Sequence, residues 1–537
     1  MKSLHLFLFG ALAVSSVNAM AEGRWSNSDT VLKTTVSPIA LKKLGTYESG
    51  LIDESAAEIV AHDPKSQRLF VTNAKDKSVD VLSIYNPRRP HKIFSLDVSA
   101  YGEPNSVAVK RGIVAVAVAA NDTGVTGKVV LFNRKGRLLN TLDVGFLPDM
   151  LTFSPDGNTL IVANEGEPND EYTIDPEGSV SIIRMSKPVK RMTQSSVVTA
   201  DFSAFNHTVL DDSVRIFGPN ATVAQDLEPE YVAVSENSQT AYVALQENNA
   251  YAIVDLASAT ITDVVGLGTK NFNTIQTGMD PSDKDDTIVI RPWPVKGFYQ
   301  PDSIATYTFE GQTYMVTANE GDARDYDGFS EEVRVDDLIL DPSLLEQYPN
   351  LQAEDQLGRL KTTTANGDLD NDGDVDQIFA YGGRSFSIFN ANSGEIVYDS
   401  GSDFARITAS VSSEMFNAGD KRSDDKGAEP EALTIGKIDN NTYAFIGLER
   451  TGGIMVYDIS NPLSPYFVHY INNTVLEGDV DAGTAGDVAP EGLVFISAKN
   501  SPIRKPLLVV ANEVSGTTTV YEIKASVSRQ WSHRRFY

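Results

Sequence analysis

Residues 367–376 carry the clearest chemical motif in this 537-residue chain. Their sequence, GDLDNDGDVD, places aspartates at alternate positions of a short loop, with a glycine where the chain must turn sharply. Calcium takes about six to eight oxygen ligands, and carboxylates spaced in this way can converge on one ion. The predicted Ca²⁺ ligands are the side chains of Asp368, Asp370, Asp372 and Asp376 and the backbone carbonyl of Asp374. The alternative is an acidic turn that is only solvated.

Acidic residues also recur at the two ends of paired apolar segments. A proline and an acid precede the first segment, as in Pro301-Asp302, and Asn-Glu follows the second, as in Asn319-Glu320. In a β-hairpin the first strand starts where the second ends, so these acids should gather on one face. The predicted set is Asp149, Glu165, Glu230, Asp302, Glu320, Glu431, Glu449, Glu491 and Glu513. Crowded carboxylates have raised pKa values unless cations bridge them; the alternative is that each acid caps its own turn.

Three arginines stand among these acids in the sequence: Arg324, Arg384 and Arg450. The planar guanidinium group can bind a phosphate or a carboxylate through two parallel hydrogen bonds. A cation and an arginine at the mouth of a channel would therefore suit a phosphorylated ligand. The alternative is that nearby acids satisfy each arginine within the protein. For Arg324 these would be Asp322, Asp325 and Asp327.

Several kinds of active site are excluded by residues that the chain lacks. It contains no cysteine, hence no cysteine nucleophile or thiolate metal site, and its six histidines show no zinc-ligand spacing. The sequence has no G-x-S-x-G motif, no P-loop and no dinucleotide-binding glycine motif. With 73 acidic against 45 basic residues, the net charge of −28 argues against nucleic acid or an anionic membrane as the partner.

The apolar segments form repeated units of short strands without a helical period. In one unit, residues 304–309 and 313–318 read as strands separated by Glu310-Gly311. Seven openings and seven closings of this kind occur along the chain, and the first opening is at Glu54. Repeated units of short strands indicate a propeller. We therefore predict an all-β chain: a seven-bladed β-propeller of the WD40/YVTN-like type with loop insertions and one short helical insertion.

Other elements are predicted to complete or interrupt the repeats. Residues 39–47 form a strand that pairs with residues 518–523 and so joins the two ends of the propeller. Residues 336–361 have leucines at helical spacing after a start at Asp341-Pro342-Ser343. Segments 377–381 and 385–390 are predicted as outer strands of the unit that begins at Pro301; an eighth, partial blade is the alternative.

The two ends of the chain lie outside the repeats. Residues 1–21 have a lysine, an apolar run and then small residues, as in a secretory signal peptide. The run is shorter than the roughly 20 residues that span a bilayer, which disfavours the alternative of an uncleaved anchor. The predicted organisation is a signal peptide at 1–21, a flexible segment at 22–38, the propeller at 39–525 and a tail at 526–537.

Longer stretches of the sequence resemble the choice-of-anchor I family. They include AQDLEPEYVAVS at 224–235, VKGFYQPDSIATY at 295–307, TANEGDARDYDGF at 317–329 and GDLDNDGDVDQIFAYGGRSFSIFN at 367–390. The resemblance implies an exported propeller similar to mesenchyme-specific cell-surface glycoproteins of biomineralisation, and some family members are labelled alkaline phosphatases. Members usually carry a C-terminal sorting signal. This chain shows none, which favours a soluble periplasmic or released protein.

Together these features predict a secreted or periplasmic calcium-binding propeller. Its acidic channel face would bind a cation-bridged small ligand or an extracellular or surface partner. The alternative is a calcium-dependent phosphoesterase of the alkaline-phosphatase or phytase type, in which Arg324 or Arg384 holds the phosphoryl oxygens and a metal-bound water attacks. A third reading is that the acids bind mineral or matrix. No catalytic residue is assigned, and no membrane span is expected after signal cleavage.

Overall fold

The computed structural model describes residues 38–185 and 188–525, together with the backbone of residues 30–33. Strands dominate these residues and helices are few and short, so the prediction of an all-β fold is confirmed. The main elements are seven antiparallel sheets of four or five strands, numbered here from 1 to 7 in chain order. The predicted signal peptide at 1–21 and tail at 526–537 lie outside the described residues.

The first three sheets are each formed by four strands that follow one another along the chain. Sheet 1 contains Val60–Asp63, Arg68–Asn73, Ser78–Ser83 and His91–Asp97. Sheet 2 contains Glu103–Lys110, Ile113–Ala119, Thr126–Asn133 and Leu138–Phe146. Sheet 3 contains Pro148–Phe153, Thr159–Asn164, Ser179–Arg184 and Val197–Asp201.

The remaining four sheets include two that recruit a strand from the N-terminal part of the chain. Sheet 4 contains Val232–Val234, Thr240–Leu245, Ala250–Asp255 and Thr260–Gly266. Sheet 5 contains Ile304–Phe309, Gln312–Asn319, Ser385–Asn390 and Ile396–Asp399. Sheet 6 contains Pro430–Ile438, Asn441–Leu448, Ile454–Asp458, Tyr466–Asn472 and Thr30–Lys33. Sheet 7 contains Pro490–Ile496, Leu507–Asn512, Thr517–Ala525 and Ile39–Glu48.

Both faces of these sheets are buried, which explains why the second strands are apolar at almost every position. In sheet 1, Leu69 and Val71 pack against sheet 7, whereas Phe70 points the other way and packs against sheet 2. Successive side chains of a strand leave opposite faces, so one strand contributes to two cores. The same arrangement gives one apolar cluster between each pair of adjacent sheets, including sheets 7 and 1.

The first strand of each sheet lies beside the first strands of its neighbours. Val60–Asp63 of sheet 1 contacts Glu103–Lys110 of sheet 2, and the same contact is repeated from sheet to sheet up to Pro490–Ile496 of sheet 7. The first strand of sheet 7 also contacts that of sheet 1. The starts of seven strands that are distant in sequence are thereby brought to one region.

The predicted pairing between the two ends of the chain is confirmed. Ile39–Glu48 runs antiparallel to Thr517–Ala525, from Ile39 opposite Ala525 to Glu48 opposite Thr517. Thr30–Lys33 also pairs with Tyr466–Asn472, so the segment predicted to be flexible contains a strand. Segments from the N-terminal part of the chain thus complete sheets 6 and 7.

The insertions carry the helices and the small sheets. The α-helices are Val223–Asp226, Pro342–Gln347 and Asp403–Val411, and the 3-10 helices are Val189–Arg191, Gln194–Ser196, Ser203–His207, Val335–Asp337 and Phe416–Ala418. Two hairpins pair Asp325–Tyr326 with Phe329–Ser330, and Glu332–Arg334 with Lys361–Thr363. The helix predicted from Asp341 is present but ends after six residues, and the Asp341 carboxylate accepts a hydrogen bond from the backbone N–H of Ser343. The helix Asp403–Val411 was not predicted, although Phe404, Ile407 and Val411 stand at helical spacing.

The prediction that residues 377–381 form an outer strand of sheet 5 is wrong. Ile378–Ala380 pairs in parallel with Val295–Phe298, which also pairs with Thr269–Asn271. Ile378 and Ala380 are buried in a separate apolar cluster formed by the insertions. No local pattern in the sequence indicates this packing. The outer position of sheet 5 is occupied by Ile396–Asp399 instead of residues 377–381.

Candidate functional site

Acidic residues stand at the start of the first strand in six of the seven sheets. Each lies two positions before an apolar residue of that strand; they are Glu58, Asp149, Glu230, Asp302, Glu431 and Glu491. In sheet 2 the corresponding residue is Asn105. A second set follows the second strands of sheets 3 to 7 and comprises Glu165, Glu247, Glu320, Glu449 and Glu513. We call the first set the opening acids, the second the closing acids, and the two together the acidic face.

Backbone hydrogen bonds hold the closing acids of sheets 3, 6 and 7 beside opening acids. The residue before the opening proline has a left-handed backbone conformation in sheets 3, 5, 6 and 7, with φ values between 41° and 58° at Leu147, Gln300, Glu429 and Ala489. Its carbonyl accepts the N–H that follows the second strand, as from Glu165 to Leu147 at 2.9 Å and from Glu513 to Ala489 at 2.8 Å. A left-handed conformation costs non-glycine residues about 1–3 kcal/mol, and such strain is concentrated at functional sites.

Members of the acidic face converge from different sheets, as carboxylate oxygens of Glu58 from sheet 1 and of Glu491 and Glu513 from sheet 7 lie within 4.8 Å of one another. Burial, followed by the charges of Glu58 and Glu513, raises the pKa of Glu491 well above its ordinary value, and Asp302 and Glu449 add to this effect. Burial and nearby acids also raise the pKa of Glu58 to about 8 and that of Asp149 to about 7. The structure therefore brings all nine acids predicted from the sequence to one face and adds Glu58 and Glu247.

One part of this face is a cavity of about 370 Å³ between sheets 3, 4 and 5, which we call the acidic cavity. Eight carboxyl groups line it, those of Asp149, Glu165, Glu167, Glu230, Glu247, Asp302, Asp322 and Asp325. Tyr326 completes the wall and donates a hydrogen bond from its hydroxyl to Glu167 at 2.7 Å. Among the described residues, no lysine or arginine lines this cavity.

The neighbouring part of the face, at sheets 5 and 6, is neutralised by the protein itself. Carboxylate oxygens of Glu320, Glu429 and Glu449 lie within 4.8 Å of one another. The Lys426 amine is 2.7 Å from Glu320 and 3.6 Å from Glu429. Arg450 is 3.1 Å from Glu449. Sequence reasoning missed Lys426, whose only signal was its place three residues before Glu429.

Arg324 is buried behind the acidic cavity rather than exposed in it. Its side chain is 1% exposed and is paired with Asp226 and with Glu228, the latter at 2.7 Å. It also donates to the backbone carbonyl of Asp226 at 2.7 Å. The neighbours in sequence that were expected to satisfy it, Asp322, Asp325 and Asp327, are not its partners in these contacts. The guanidinium therefore holds two buried carboxylates in place.

The other two predicted arginines, Arg384 and Arg450, differ in their exposure to solvent. Arg384 is buried and donates to the backbone carbonyls of Asp280 and Ser423, each at 2.9 Å, and of Asp425. Burial lowers the pKa of Arg384 to about 10. Arg450 is 45% exposed, so it alone of the three presents much of its side chain to solvent, although Glu449 already binds it.

The aspartate loop at 367–376 is exposed and its backbone curls around its own carboxylates. Asp368 accepts hydrogen bonds from the N–H groups of Asp372 and Gly373, at 3.2 and 3.1 Å. Asp376 accepts from the N–H of Leu369 at 2.7 Å. Gly373 has a φ of +100°, which glycine adopts without strain. The loop is therefore shaped by short-range contacts.

Two overlapping groups of carboxylate oxygens in the loop are close enough to share an ion. One is formed by Asp368, Asp370 and Asp376, and the other by Asp341, Asp374 and Asp376; within each group the oxygens lie within 4.8 Å of one another. The charge of Asp372, burial and the other aspartates raise the pKa of Asp370. Asp372 is outside both groups, and Asp341, at the start of a helix, joins one. A set made only of carboxylate oxygens fits a hard cation such as calcium.

The opening acid of sheet 1 was misplaced by sequence reasoning. Glu54 was taken as the start of the first unit, but it is exposed and paired with Lys75. Glu58 occupies the equivalent place, two residues before Val60, as Glu230 stands two residues before Val232. The spacing to the first buried apolar residue was the signal that would have identified it.

Sequence comparisons relate the chain to a family and to two curated proteins. The sequence model of the choice-of-anchor I domain matches residues 58–462. Gigasin-3a of Magallana gigas is 31% identical over 195 residues, which cover 33% of this chain and 68% of that protein. Mesenchyme-specific cell surface glycoprotein of Strongylocentrotus purpuratus is 28% identical over 284 residues, which cover 45% of this chain and 36% of that protein.

Structure comparisons find broad but distant similarity. Hydrazine synthase of Kuenenia stuttgartiensis gives a TM-score of 0.48 at 13% identity and covers 89% of this chain and 100% of its own. The β-propeller domain of Cps50 (Swd1) from Myceliophteria thermophila gives 0.42 at 8% identity, over 90% and 100% of the two chains. Streptogramin B lyase gives 0.45 at 10% identity, over 90% and 98%. At such TM-scores none of these similarities assigns a function.

Replacing Arg324 should separate a structural role from a ligand-binding one. In Arg324→Ala, Asp226 and Glu228 remain buried without their counter-charge, so the free energy of unfolding should fall by about 3–5 kcal/mol. Denaturant unfolding measures this, and the matched control Arg450→Ala should lose about 1 kcal/mol or less because its pairs are partly solvated. Equal stability of Arg324→Ala and the parent protein would contradict the structural role.

The stability of the metal-free protein should fall as the pH rises from about 5 to about 8. An acid with a raised pKa holds its proton more tightly in the folded protein than in the unfolded one. Its stabilising contribution is therefore present at low pH and is lost as the pH rises through the folded pKa, which is about 7 for Asp149 and about 8 for Glu58 and Glu449. Melting temperatures in a chelating buffer measure this; a steady increase with pH over the same range would refute it.

Proposed function

Because the chain belongs to the choice-of-anchor I family, we propose that it is a secreted or cell-surface protein that binds a ligand or surface partner through cations on its acidic face. The single observation that carries this proposal is the convergence of eleven acids from six sheets on one face, with few basic partners of their own. Charges gathered in this way repel one another unless cations offset them.

We propose that the seven sheets are the blades of a closed seven-bladed β-propeller. Each sheet shares an apolar cluster with the sheets before and after it, and sheets 7 and 1 share one as well. The first strands contact one another in the same order, including those of sheets 7 and 1. These contacts support a ring in which the acidic face surrounds the central axis.

An exported location is part of the proposal. The chain contains no cysteine, so outside the cytoplasm it would be held by its apolar core and by bound metal rather than by disulfides. None of the described helices combines the length and the apolar character that crossing a bilayer requires. The signal peptide predicted at 1–21 is the expected means of export.

Binding is favoured over phosphoryl transfer by the positions of the arginines. The phosphoesterase alternative assigns Arg324 or Arg384 to steady the phosphoryl oxygens beside the metal. Arg324 and Arg384 direct their donors to protein acceptors and are buried. The geometry therefore gives the catalytic alternative no group to act in that role within the acidic cavity.

We further propose that the aspartate loop holds a structural calcium ion. Its oxygens come from Asp368, Asp370 and Asp376, with Asp374 and Asp341 on the adjoining side. The loop is fixed to the helix-bearing insertion, because Val375 donates to Ile339 at 2.8 Å and Asp341 donates to Val375 at 3.1 Å. An ion bound here would tie these two segments together.

The double variant Asp370→Ala with Asp372→Ala tests the loop. Calcium at about 100 times its dissociation constant should stabilise the parent protein by about 2.7 kcal/mol through this site, and the variant should lose that contribution. Equilibrium dialysis should show one calcium ion fewer per chain. Asp336→Ala with Asp337→Ala is the matched control, since it removes the same charge from exposed positions of the same insertion. An unchanged calcium count would refute the loop site.

Cation-bridged binding is tested with inorganic phosphate as the probe. A chain of net charge −28 repels an oxyanion, so phosphate should bind only when calcium is present. Calorimetry should show heat of phosphate binding in calcium and none in chelator, and Asp149→Asn with Asp302→Asn, at two acids that line the acidic cavity, should weaken binding by about tenfold. Phosphate binding that is equal in calcium and in chelator, or absent in both, would reject a cation bridge for phosphate.

A further inference from the structure

The acidic cavity has few positive charges near its carboxylates. Its eight carboxyl groups face a space of about 370 Å³. Asp322 is 3.5 Å from Lys426, and Glu167 accepts from Tyr326. Arg324, the nearest guanidinium behind the wall, is engaged by Asp226 and Glu228. The protein therefore supplies very little positive charge to this space.

Glu230 gives the observation that points to a ligand. Its side chain is 7% exposed, and neither carboxylate oxygen has a hydrogen-bond partner among the described residues. Glu247, 9% exposed, lies opposite with one oxygen also unpartnered. A buried carboxylate without a donor or a counter-ion is strongly disfavoured, so a native site of this kind requires an explanation.

A bound proton or a bound metal ion would offset the charge repulsion between Glu230 and Glu247. Burial and the facing Glu247 raise the pKa of Glu230 well above its ordinary value, so the pair can share a proton when no cation is bound. One proton, however, offsets one charge, and Asp149, Glu165 and Asp302 remain around the same space. A divalent cation offsets two charges and interacts with several oxygens at once.

We infer that the acidic cavity is a second cation site, in which Glu230 and Glu247 bind a hard divalent ion of the calcium type directly. This inference rests on the proposed function, because it identifies which part of the acidic face holds the bridging ion. All the charged ligands available are carboxylates, and neither histidine nor cysteine lines the cavity, which disfavours zinc and copper.

The size of the cavity indicates that the ion keeps part of its water shell. A water molecule occupies about 30 Å³ in the liquid, so the cavity has room for an ion and several waters. Glu165 and Asp302 lie on the walls from sheets 3 and 5 and would contact the ion directly or through such waters. Exchangeable waters on the ion are the positions that an oxygen atom of a ligand would take.

Terbium luminescence and calcium titration test the site in the full-length mature protein. The loop variant Asp370→Ala with Asp372→Ala serves as the background, so that the loop ion does not contribute. Terbium replaces calcium and is excited by a nearby tyrosine; Tyr326 lines the cavity. We expect sensitised emission that calcium displaces. Tyr326→Phe should remove most of the emission while calcium binding persists.

Glu230→Gln in that background should weaken calcium binding by about tenfold or more. Glu236→Gln is the matched control, since it removes one charge from an exposed turn of the same sheet and should leave the affinity unchanged. In chelator, Glu230→Gln should melt no lower than its parent, because it removes a buried, unpaired charge. Equal calcium affinity of Glu230→Gln and Glu236→Gln would overturn the inference.

These outcomes are separable from those of the proposed function. Calcium binding that depends on Glu230, without any subsequent binding of phosphate, supports the cation site and counts against phosphate as a bridged ligand. Binding of an organic diamine such as cadaverine with no response to calcium overturns the cation site, because the cavity would then select an ammonium group.

Discussion

Burial of both faces of every sheet is the constraint on which the rest of the structure depends. A four-stranded sheet that is apolar on both sides is stable only between two other sheets. Phe70 and its neighbours Leu69 and Val71 show the rule at one strand, since they serve two different cores. Because every sheet packs in this way, the first strands lie side by side. Their starting residues are therefore close to one another.

That packing brings carboxylates close together. The two parts of the acidic face differ in how the repulsion between these carboxylates is offset. Near sheets 5 and 6, Lys426 and Arg450 form ion pairs with Glu320 and Glu449, so the counter-charge is built in. Between sheets 3 and 5, no such side chain reaches Glu230 or Glu247. A fixed counter-charge suits a structural role, whereas a missing one leaves a place for an ion from solution.

The two proposed calcium sites differ in what builds them. The aspartate loop is formed by hydrogen bonds within ten residues and is exposed, so its carboxylates are positioned almost independently of the sheets. The acidic cavity takes its walls from three sheets and from the loop that carries Asp322 and Tyr326. Loss of packing between those sheets would abolish the cavity while leaving the aspartate loop nearly intact.

The sequence by itself determined what depends on short-range geometry: the all-β class from repeated short apolar segments, and the gathering of opening and closing acids at one edge of each hairpin. The pairing of residues 39–47 with 518–523 was predicted from the way in which propellers join their two ends, and the structure confirms it. Only the tertiary structure decided which charges are paired. Arg324 has acids within three residues of it, yet it binds Asp226, 98 positions away, and Glu228, 96 positions away. Glu230 looks like the other acids in sequence, but in the structure both of its carboxylate oxygens are buried without a donor, facing Glu247. Pairing and burial depend on distances between distant segments, and a pattern of neighbours along the chain does not contain those distances.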